Sequence, residues 1–219
     1  MVYDANAEVR KVENFTGVEV SSAISLYLSQ GNENALAISV DKEHMDKIKT
    51  EVKNGVLKIY VESGLWNKWN WSNKKIKAYV TIKTIEKLSA SGASSVTITD
   101  KLTAGNLKIN VNGASNLKGD IQAQNIDLNI SGAATATISG TTGGLTVDAR
   151  GASNLKASEL VASECSAQAS GASSIRVNVT KEFSKVEASG ASSIRYRGEA
   201  TVKNFEASGA SSIKKDNSK

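Results

Sequence analysis

Two sets of residues in this sequence have the types and spacing that ligand binding requires. The first set lies within one short segment that holds all three tryptophans of the chain: Trp66, Asn67, Trp69, Asn70 and Trp71. Indole rings stack on sugar rings or lie at membrane interfaces, and the neighbouring amides can hydrogen-bond to a polar ligand. The alternative is that at least one indole folds back and covers an end of the hydrophobic core.

The second set consists of basic residues that recur at one position of a repeated phrase. Each lies five residues after a glycine, and the set is Lys118, Lys156, Arg176, Arg195 and Lys214. If the repeats stack about 4.8 Å apart, these side chains form one basic stripe that could bind an anionic polymer. The alternative is that the charges only keep a regular sheet from pairing with other molecules. Glu187 and Glu206 could also neutralise part of the stripe.

The remaining reactive residue types do not form a catalytic pattern. His44 is the only histidine, and we expect it on the exposed face of a short helix. Cys165 is the only cysteine and is expected to be buried. Four aspartates that a polysaccharide-cleaving enzyme would have to cluster occupy different positions of the repeat: Asp100, Asp120, Asp127 and Asp148. The sequence therefore predicts no catalytic residues, no metal site, no cofactor and no enzymatic activity.

The phrase that positions the stripe is Gly-Ala-Ser-Ser/Asn followed by an aliphatic residue. Its glycines are 19 to 21 residues apart, at positions 92, 113, 132, 151, 171, 190 and 209. Aliphatic residues lie two and four positions before each glycine and four positions after it, and polar residues alternate with them. An alternation of period two predicts β-strands of about six residues, with three strands to one repeat. A repeat of this length predicts one rung of a parallel β-helix.

The chain divides into three parts on this pattern. For residues 1–85 the pattern predicts a partly antiparallel β region with a degenerate first rung and a hairpin at Asn54-Gly55. The same part holds one short helix and a loop that contains the three tryptophans, called the tryptophan loop below. Residues 86–213 predict regular rungs, and residues 214–219 form a polar tail. We expect the first part to cap the β-helix, since a bare end exposes unpaired backbone groups. The other end is blunted only by the tail, so two molecules could dimerise through their ends.

Composition and charge exclude further classes of function. The chain has 219 residues, 40% hydrophobic and 5% aromatic, with no proline and a net charge of +5. This charge is mild and lacks the readout motifs of nucleic-acid binding, so no nucleic acid is expected as a partner. No apolar run is long enough to span a membrane. The sequence opens without a leader, which indicates either a cytosolic protein or an exported one whose leader has been removed.

Three segments together resemble a known family. They are Val18 to Gly31, the hairpin from Lys47 to Ile59, and the Ser-Gly-Ala-Ser-Ser phrase at Ser91 with its later copies. Over about residues 10–213 they resemble the auto-transporter adhesins with a head GIN domain, which are common in Bacteroidetes. The resemblance implies a right-handed parallel β-helix, export to the periplasm or outer surface behind a signal or lipoprotein leader, and no catalytic motif.

These observations favour a non-catalytic binding or adhesion module of the cell envelope whose partner is a surface glycan or another protein. One alternative is a structural envelope protein that assembles with itself. A polysaccharide-active enzyme is a further alternative, and it would require several carboxylates to converge on one groove.

Overall fold

A computed structural model describes residues 7–62 and 75–216 of the chain. These residues form a nearly all-β protein whose main body is a parallel β-helix of about seven turns, with a mixed sheet at the N-terminal end. The predicted fold class is therefore confirmed. In chain order the described strands are β1 (Glu8–Arg10), β2 (Gly17–Val20), β3 (Ile24–Gln30), β4 (Ala35–Ser39), β5 (Ile48–Lys53), β6 (Val56–Val61), β7 (Ile76–Ile82), β8 (Lys87–Ala90), β9 (Ser95–Ile98), β10 (Leu102–Val111), β11 (Asn116–Ile130), β12 (Thr135–Ala149), β13 (Asn154–Ala169), β14 (Ser174–Ala188), β15 (Ser193–Arg197), β16 (Thr201–Val202), β17 (Phe205–Ala207) and β18 (Ser212–Lys215).

The Gly-Ala-Ser phrase forms the corner of every turn. Its seven glycines have φ between 70° and 77°, a region that a side chain disfavours. Space gives a second reason: a Cβ on Gly171 would lie 2.8 Å from the carbonyl oxygen of Gly151 in the turn below. Ser22, at the glycine's place in the degenerate first turn, has φ of 65°, and Gly92 stacks on its backbone.

Strands before and after the corner form two long parallel stacks. The pre-corner side runs through β6, β2, β8 and the ends of β10 to β14 to β17. The post-corner side runs through β7, β3, β9 and the starts of β11 to β14 to β15 and β18. Equivalent residues pair in register, so that Leu155, Ile175, Ile194 and Ile213 form one aliphatic column. These columns belong to a single core cluster.

The strands are longer than the six residues expected. β11, β12 and β14 each have 15 residues and β13 has 16. Each runs without a break from just after one Gly-Ala-Ser corner to just before the next. The strands pass through their other bends without ending, although the pairing register shifts at several of them, as between Ala157 and Val161 of β13. One such bend follows Ala123, where two successive residues, Gln124 and Asn125, both face outward.

Antiparallel strands lie at the N-terminal end. β5 pairs with β6 through the hairpin at Asn54-Gly55, both of which have positive φ. β4 pairs antiparallel with β7 on one edge and with β1 on the other. The short helix is a 3₁₀ helix, Lys42–Lys47. The expectation that its histidine is exposed was wrong: His44 is buried, with its Nε2 2.8 Å from the Glu43 carboxylate.

Candidate functional site

The structure brings the predicted basic stripe together in one column. Going along the post-corner side, Lys118 pairs with Thr137, Thr137 with Lys156, Lys156 with Arg176, Arg176 with Arg195, and Arg195 with Lys214. Four of the five cations are therefore on consecutive strands. At a strand spacing of about 4.8 Å, these four span about 14 Å.

The cations of the stripe have no carboxylate partner among the described residues. Arg176 is half-buried, and the other four side chains are exposed. The outward positions beside the four consecutive cations carry mainly uncharged polar residues, among them Asn154, Ser174, Asn178, Ser193 and Ser212. Arg197 and Asp216 lie at the end of this face and pair with each other at 3.7 Å. The stripe is thus a run of positive charge on a largely uncharged polar surface, although Glu159 lines the same groove as Lys156.

The pre-corner side has a different charge arrangement. Lys108 lies 3.3 Å from Asp127, Arg150 lies 2.5 Å from Asp148, and Lys185 lies 2.7 Å from Glu187. Glu187 also accepts a hydrogen bond from Gln168, and the bond from Lys185 is the main cause that lowers the pKa of Glu187. The expectation that Glu187 and Glu206 neutralise the stripe was wrong. Glu187 and Glu206 lie directly opposite each other on neighbouring strands of the pre-corner side, away from the stripe.

Two grooves lie along the post-corner side. The central groove, about 400 Å³, is lined by Thr97, Lys118, Asp120, Thr137, Lys156 and Glu159, among others. The tyrosine groove, about 640 Å³, is lined by Tyr27, Ser29, Tyr79, Thr81, Thr99 and Asp100, among others. The two grooves adjoin at the end of β9, where Thr97 of the strand lines the first and Thr99, just after the strand, lines the second.

The sequence analysis missed the tyrosines. Tyr79 pairs with Tyr27 and Tyr27 with Thr97, which pairs with Lys118, so both rings belong to the column of the stripe. The rings stack with centroids 5.3 Å apart and planes 18° apart. A signal for Tyr27 was present in the sequence, since it lies five residues after Ser22, as the cations lie five after their glycines. Tyr79 had no such signal, because β7 follows no corner phrase.

The predicted tryptophan site cannot be placed in this way. Trp66, Asn67, Trp69, Asn70 and Trp71 lie outside the described residues, so their role stays a prediction.

The four aspartates singled out from the sequence do not converge on one groove in the described part of the chain, and the central groove combines only one of them, Asp120, with Glu159. Asp127 and Asp148 belong to the pre-corner side, whereas Asp120 lines the central groove and lies 3.9 Å from Lys101. Asp100 lines the tyrosine groove. Only one group of three ligand-type side chains comes within 4.8 Å in residues 7–62 and 75–216, namely Asp41, Glu43 and His44. Its two carboxylates are exposed.

Cys165 is buried inside the β-helix, as predicted. Burial raises the pKa of its thiol from 9.0 to about 12. A thiol of this pKa carries almost no thiolate at neutral pH and is therefore inert as a nucleophile.

Comparisons with known proteins agree with this architecture. The sequence model of the family described as "Putative auto-transporter adhesin, head GIN domain" matches residues 14–215. A crystal structure of a "putative adhesin" from Bacteroides fragilis is 24% identical, with a TM-score of 0.89 over 96% of each chain. A "putative adhesin" from Parabacteroides distasonis is 17% identical, with a TM-score of 0.76 over 96% of each chain.

A third structure of the same fold carries a different name. It is a "putative lipid binding protein" from Parabacteroides distasonis, 19% identical, with a TM-score of 0.70 over 98% of each chain. No curated protein matches the sequence. In the described residues, no helix combines the length and the apolar character that a membrane crossing needs. The family description and the two adhesin names support an adhesion-like role at an exported surface and name no enzyme.

Proposed function

We propose that this chain, which belongs to the auto-transporter adhesin, head GIN domain family, is a non-catalytic surface adhesion module that binds an acidic polysaccharide along its basic stripe. The observation that carries the proposal is the run of four cations on consecutive strands, Lys156, Arg176, Arg195 and Lys214, without a carboxylate partner in the part of the chain that is described. Like charges directly opposite each other destabilise a sheet, so the run has an energetic cost that a polyanion would offset.

The pre-corner side argues against a purely protective role for these charges. It is an equally regular parallel sheet, yet its cations are paired with carboxylates, as in the Lys108–Asp127 and Lys185–Glu187 pairs. Like charges also lie opposite each other there, as in Lys87–Lys108 and Glu187–Glu206, but these runs are two residues long and most of their cations have a carboxylate partner. Segregation of unpaired positive charge to one side is the pattern that attracts an anionic partner.

The stripe suits an acidic polysaccharide in particular. Arginine binds carboxylates in a bidentate manner, and Arg176 and Arg195 are adjacent in the column. The neighbouring Asn154, Asn178 and Ser193 can hydrogen-bond to sugar hydroxyls. An extended polyuronate such as polygalacturonate presents one carboxylate on each sugar ring, so successive rings can follow successive strands.

Polygalacturonate, with neutral dextran as the reference, is the probe that tests this function. The stripe variant is Lys156→Thr, Arg176→Thr and Arg195→Thr, and the native threonines at 97 and 137 show that threonine fits this column. The matched control is Lys87→Thr, Lys108→Thr and Lys185→Thr, which removes equal charge from one column of the pre-corner side. That column contains a native threonine at 146.

We expect the wild type to bind polygalacturonate and not dextran, with affinity that falls as salt is added. The stripe variant should lose at least about tenfold in affinity, and the control variant less than about twofold. Equal losses in the two variants would overturn the assignment of the stripe. Equally tight binding of duplex DNA through the same residues would overturn the choice of a polysaccharide.

The tryptophan loop is a second candidate contact for the same glycan. Replacing Trp66, Trp69 and Trp71 with alanine in the same assay tests it, because indoles that stack on sugar rings contribute to affinity. Unchanged binding would reject this loop as part of the site.

Self-assembly through the C-terminal end has one observation in its favour. Phe205 in the last pre-corner strand is 54% exposed, and the neighbouring Val202 and Ile213 are only partly buried. A second copy related by a two-fold axis would cover these side chains and place Glu206 opposite Lys214. Light scattering at increasing concentration should show a dimer that Phe205→Ser abolishes. Val9→Thr, which removes the exposed valine at the other end, should leave it intact. A monomer at all concentrations would exclude this assembly.

A cell-surface location is part of this proposal. Antibody labelling of intact cells should detect the protein if it faces outward, and labelling only after permeabilisation would place it in the periplasm or the cytosol.

A further inference from the structure

The tyrosine groove adds a second kind of surface to the column of the stripe. We propose that it is a subsite for an uncharged sugar ring, so that the full ligand is a polysaccharide with neutral as well as acidic residues. The inference rests on the proposed function, because the neutral subsite and the cation stripe would hold two parts of one chain.

The groove is aligned with the stripe and continuous with it. Tyr27 is two strands away from Lys118 in the same column, through Thr97, which corresponds to about 10 Å. The strands carrying Thr97, Lys118, Thr137 and Lys156 line the central groove that follows. A ligand that lies across the strands, parallel to the axis of the β-helix, can therefore contact the tyrosine groove and the stripe at once.

Hydrogen bonds from one side chain to the backbone hold the groove in shape. The side-chain amide of Gln30 donates to the Thr103 carbonyl oxygen at 2.9 Å and accepts from the Thr103 N–H at 2.7 Å. The same amide donates to the Lys83 carbonyl oxygen at 3.2 Å. Gln30 thus ties β3 to β10 and to the segment after β7. A groove fixed in this way needs little ordering when a ligand enters it, which favours binding.

The lining has the chemistry of a sugar site. Tyr27 stacks on Tyr79 and has Thr97 on its other side in the column, and the two half-buried tyrosines line the groove with apolar ring atoms and hydroxyls. Sugar rings have apolar C–H faces that pack on aromatic rings. Thr99 and the exposed Asp100 add a hydroxyl and a carboxylate, and a carboxylate accepts hydrogen bonds from sugar hydroxyls. The volume, about 640 Å³, lies in the range of small-molecule sites.

The charge of the groove assigns it to a neutral ring. None of the described residues that line it is a cation, and Asp100 would repel an acidic sugar. The cations begin at Lys118 and become consecutive from Lys156 onward. The column therefore changes from aromatic and hydroxyl-bearing at its N-terminal end to strongly basic at its C-terminal end. A polymer that matches both ends carries uncharged and acidic sugars in succession.

Saturation-transfer NMR with neutral oligosaccharides tests the subsite. The probes are pentamers of glucose, N-acetylglucosamine, mannose and galactose, used with the full chain. We expect at least one to bind, with aromatic saturation transferred to the sugar. Asp100→Asn, an exposed change that keeps the fold, should weaken that binding at least about tenfold. Tyr27→Thr should abolish it, and Tyr60→Thr, a tyrosine of β6 outside the groove, should not change it.

The two proposals fail separately. Asp100→Asn should lose affinity for the neutral pentamer and keep the wild-type affinity for polygalacturonate. The stripe variant should still bind the neutral pentamer. If no pentamer binds, or if Asp100→Asn binds as the wild type does, the subsite is refuted while the stripe can still stand. If a pentamer binds and polygalacturonate does not, the subsite stands as a neutral-sugar site and the stripe proposal falls.

Discussion

At the scale of single residues, the corner glycines combine two constraints that act on the same atom. Gly171 has φ of 74°, and a Cβ there would lie 2.8 Å from the Gly151 carbonyl oxygen. The backbone angle excludes most side chains, and the close stacking of corners excludes even a methyl group.

Gly171→Ala should therefore lower the free energy of unfolding by about 2 kcal/mol or more, from left-handed strain together with the contact to the carbonyl. Gly105→Ala is the control, since Gly105 has nothing within 4 Å of the added Cβ. It should change stability by less than about 0.5 kcal/mol. Urea unfolding of both variants measures this, and similar losses would contradict the account of the corner.

Cys165 makes stability depend on alkaline pH in a specific direction. Its pKa is about 12 in the folded protein against 9.0 for an unperturbed thiol. Below pH 9 both states keep the proton, and the stabilisation is fully present. Between pH 9 and 12 only the unfolded state ionises, so this stabilisation is lost as pH rises, at up to about 1.4 kcal/mol per pH unit.

The measurement compares the wild type with Cys165→Ala, in which other titrating groups are unchanged. The difference in unfolding free energy between the two proteins should be constant from pH 7 to 8.5 and should shift against the wild type from pH 9 to 10.5. A difference that stays constant across the whole range would mean that the thiol is accessible to water in the folded protein.

At the scale of elements, the contribution of a core side chain to stability depends on whether a strand packs on each side of its own strand. Ile175 and Ile213 occupy the same aliphatic column, four residues after a corner glycine. Ile175 is fully buried between β13 and β15, whereas Ile213 is in the last strand and only partly buried.

Ile175→Ala should cost about 2 to 5 kcal/mol, because it leaves a cavity in a closely packed column. Ile213→Ala should cost at least about 1 kcal/mol less, since the last strand can relax over the smaller side chain. Thermal and urea unfolding of the two variants compare identical chemistry at two places of one column. Equal costs would indicate that another molecule covers the C-terminal end.

The repeated elements were predictable from the sequence, and the irregular ones were not. Columns such as Leu155, Ile175 and Ile194 follow directly from the period of 19 to 21 residues, since equal spacing places equivalent residues over one another. The burial of the His44 side chain was not predictable, because its short helix lies outside the repeat and no repeat position marks its inward side. Glu187, three residues before its corner glycine, could have been placed on the pre-corner side from the repeat alone. Strand length was underestimated because the bends within a rung shift the pairing register and do not end the strand.

The candidate site was likewise predictable only where it belongs to the repeat. The stripe could be predicted because its cations keep one offset from the corner glycine. The tyrosine groove could not, because it requires the pairing of β3 with β7 and β9, and the strand β7 carries no repeat signature. The division of the chain at residue 85 stays a prediction, and one continuous core joins both parts.

At the scale of the whole molecule, the β-helix converts a linear repeat into sides of different charge. The pre-corner side pairs its cations with carboxylates, while the post-corner side carries the basic stripe and the tyrosine groove. A substitution at one offset of the repeat changes one position on one side without disturbing the core, so the same fold can present many surfaces.

A crystal structure of the protein with a polygalacturonate oligomer tests the central claim most directly. We predict that successive carboxylates lie within hydrogen-bond distance of Lys156, Arg176, Arg195 and Lys214, with the oligomer running across the strands of the post-corner side. An oligomer bound on the pre-corner side, or along a single strand rather than across the column, would contradict the account.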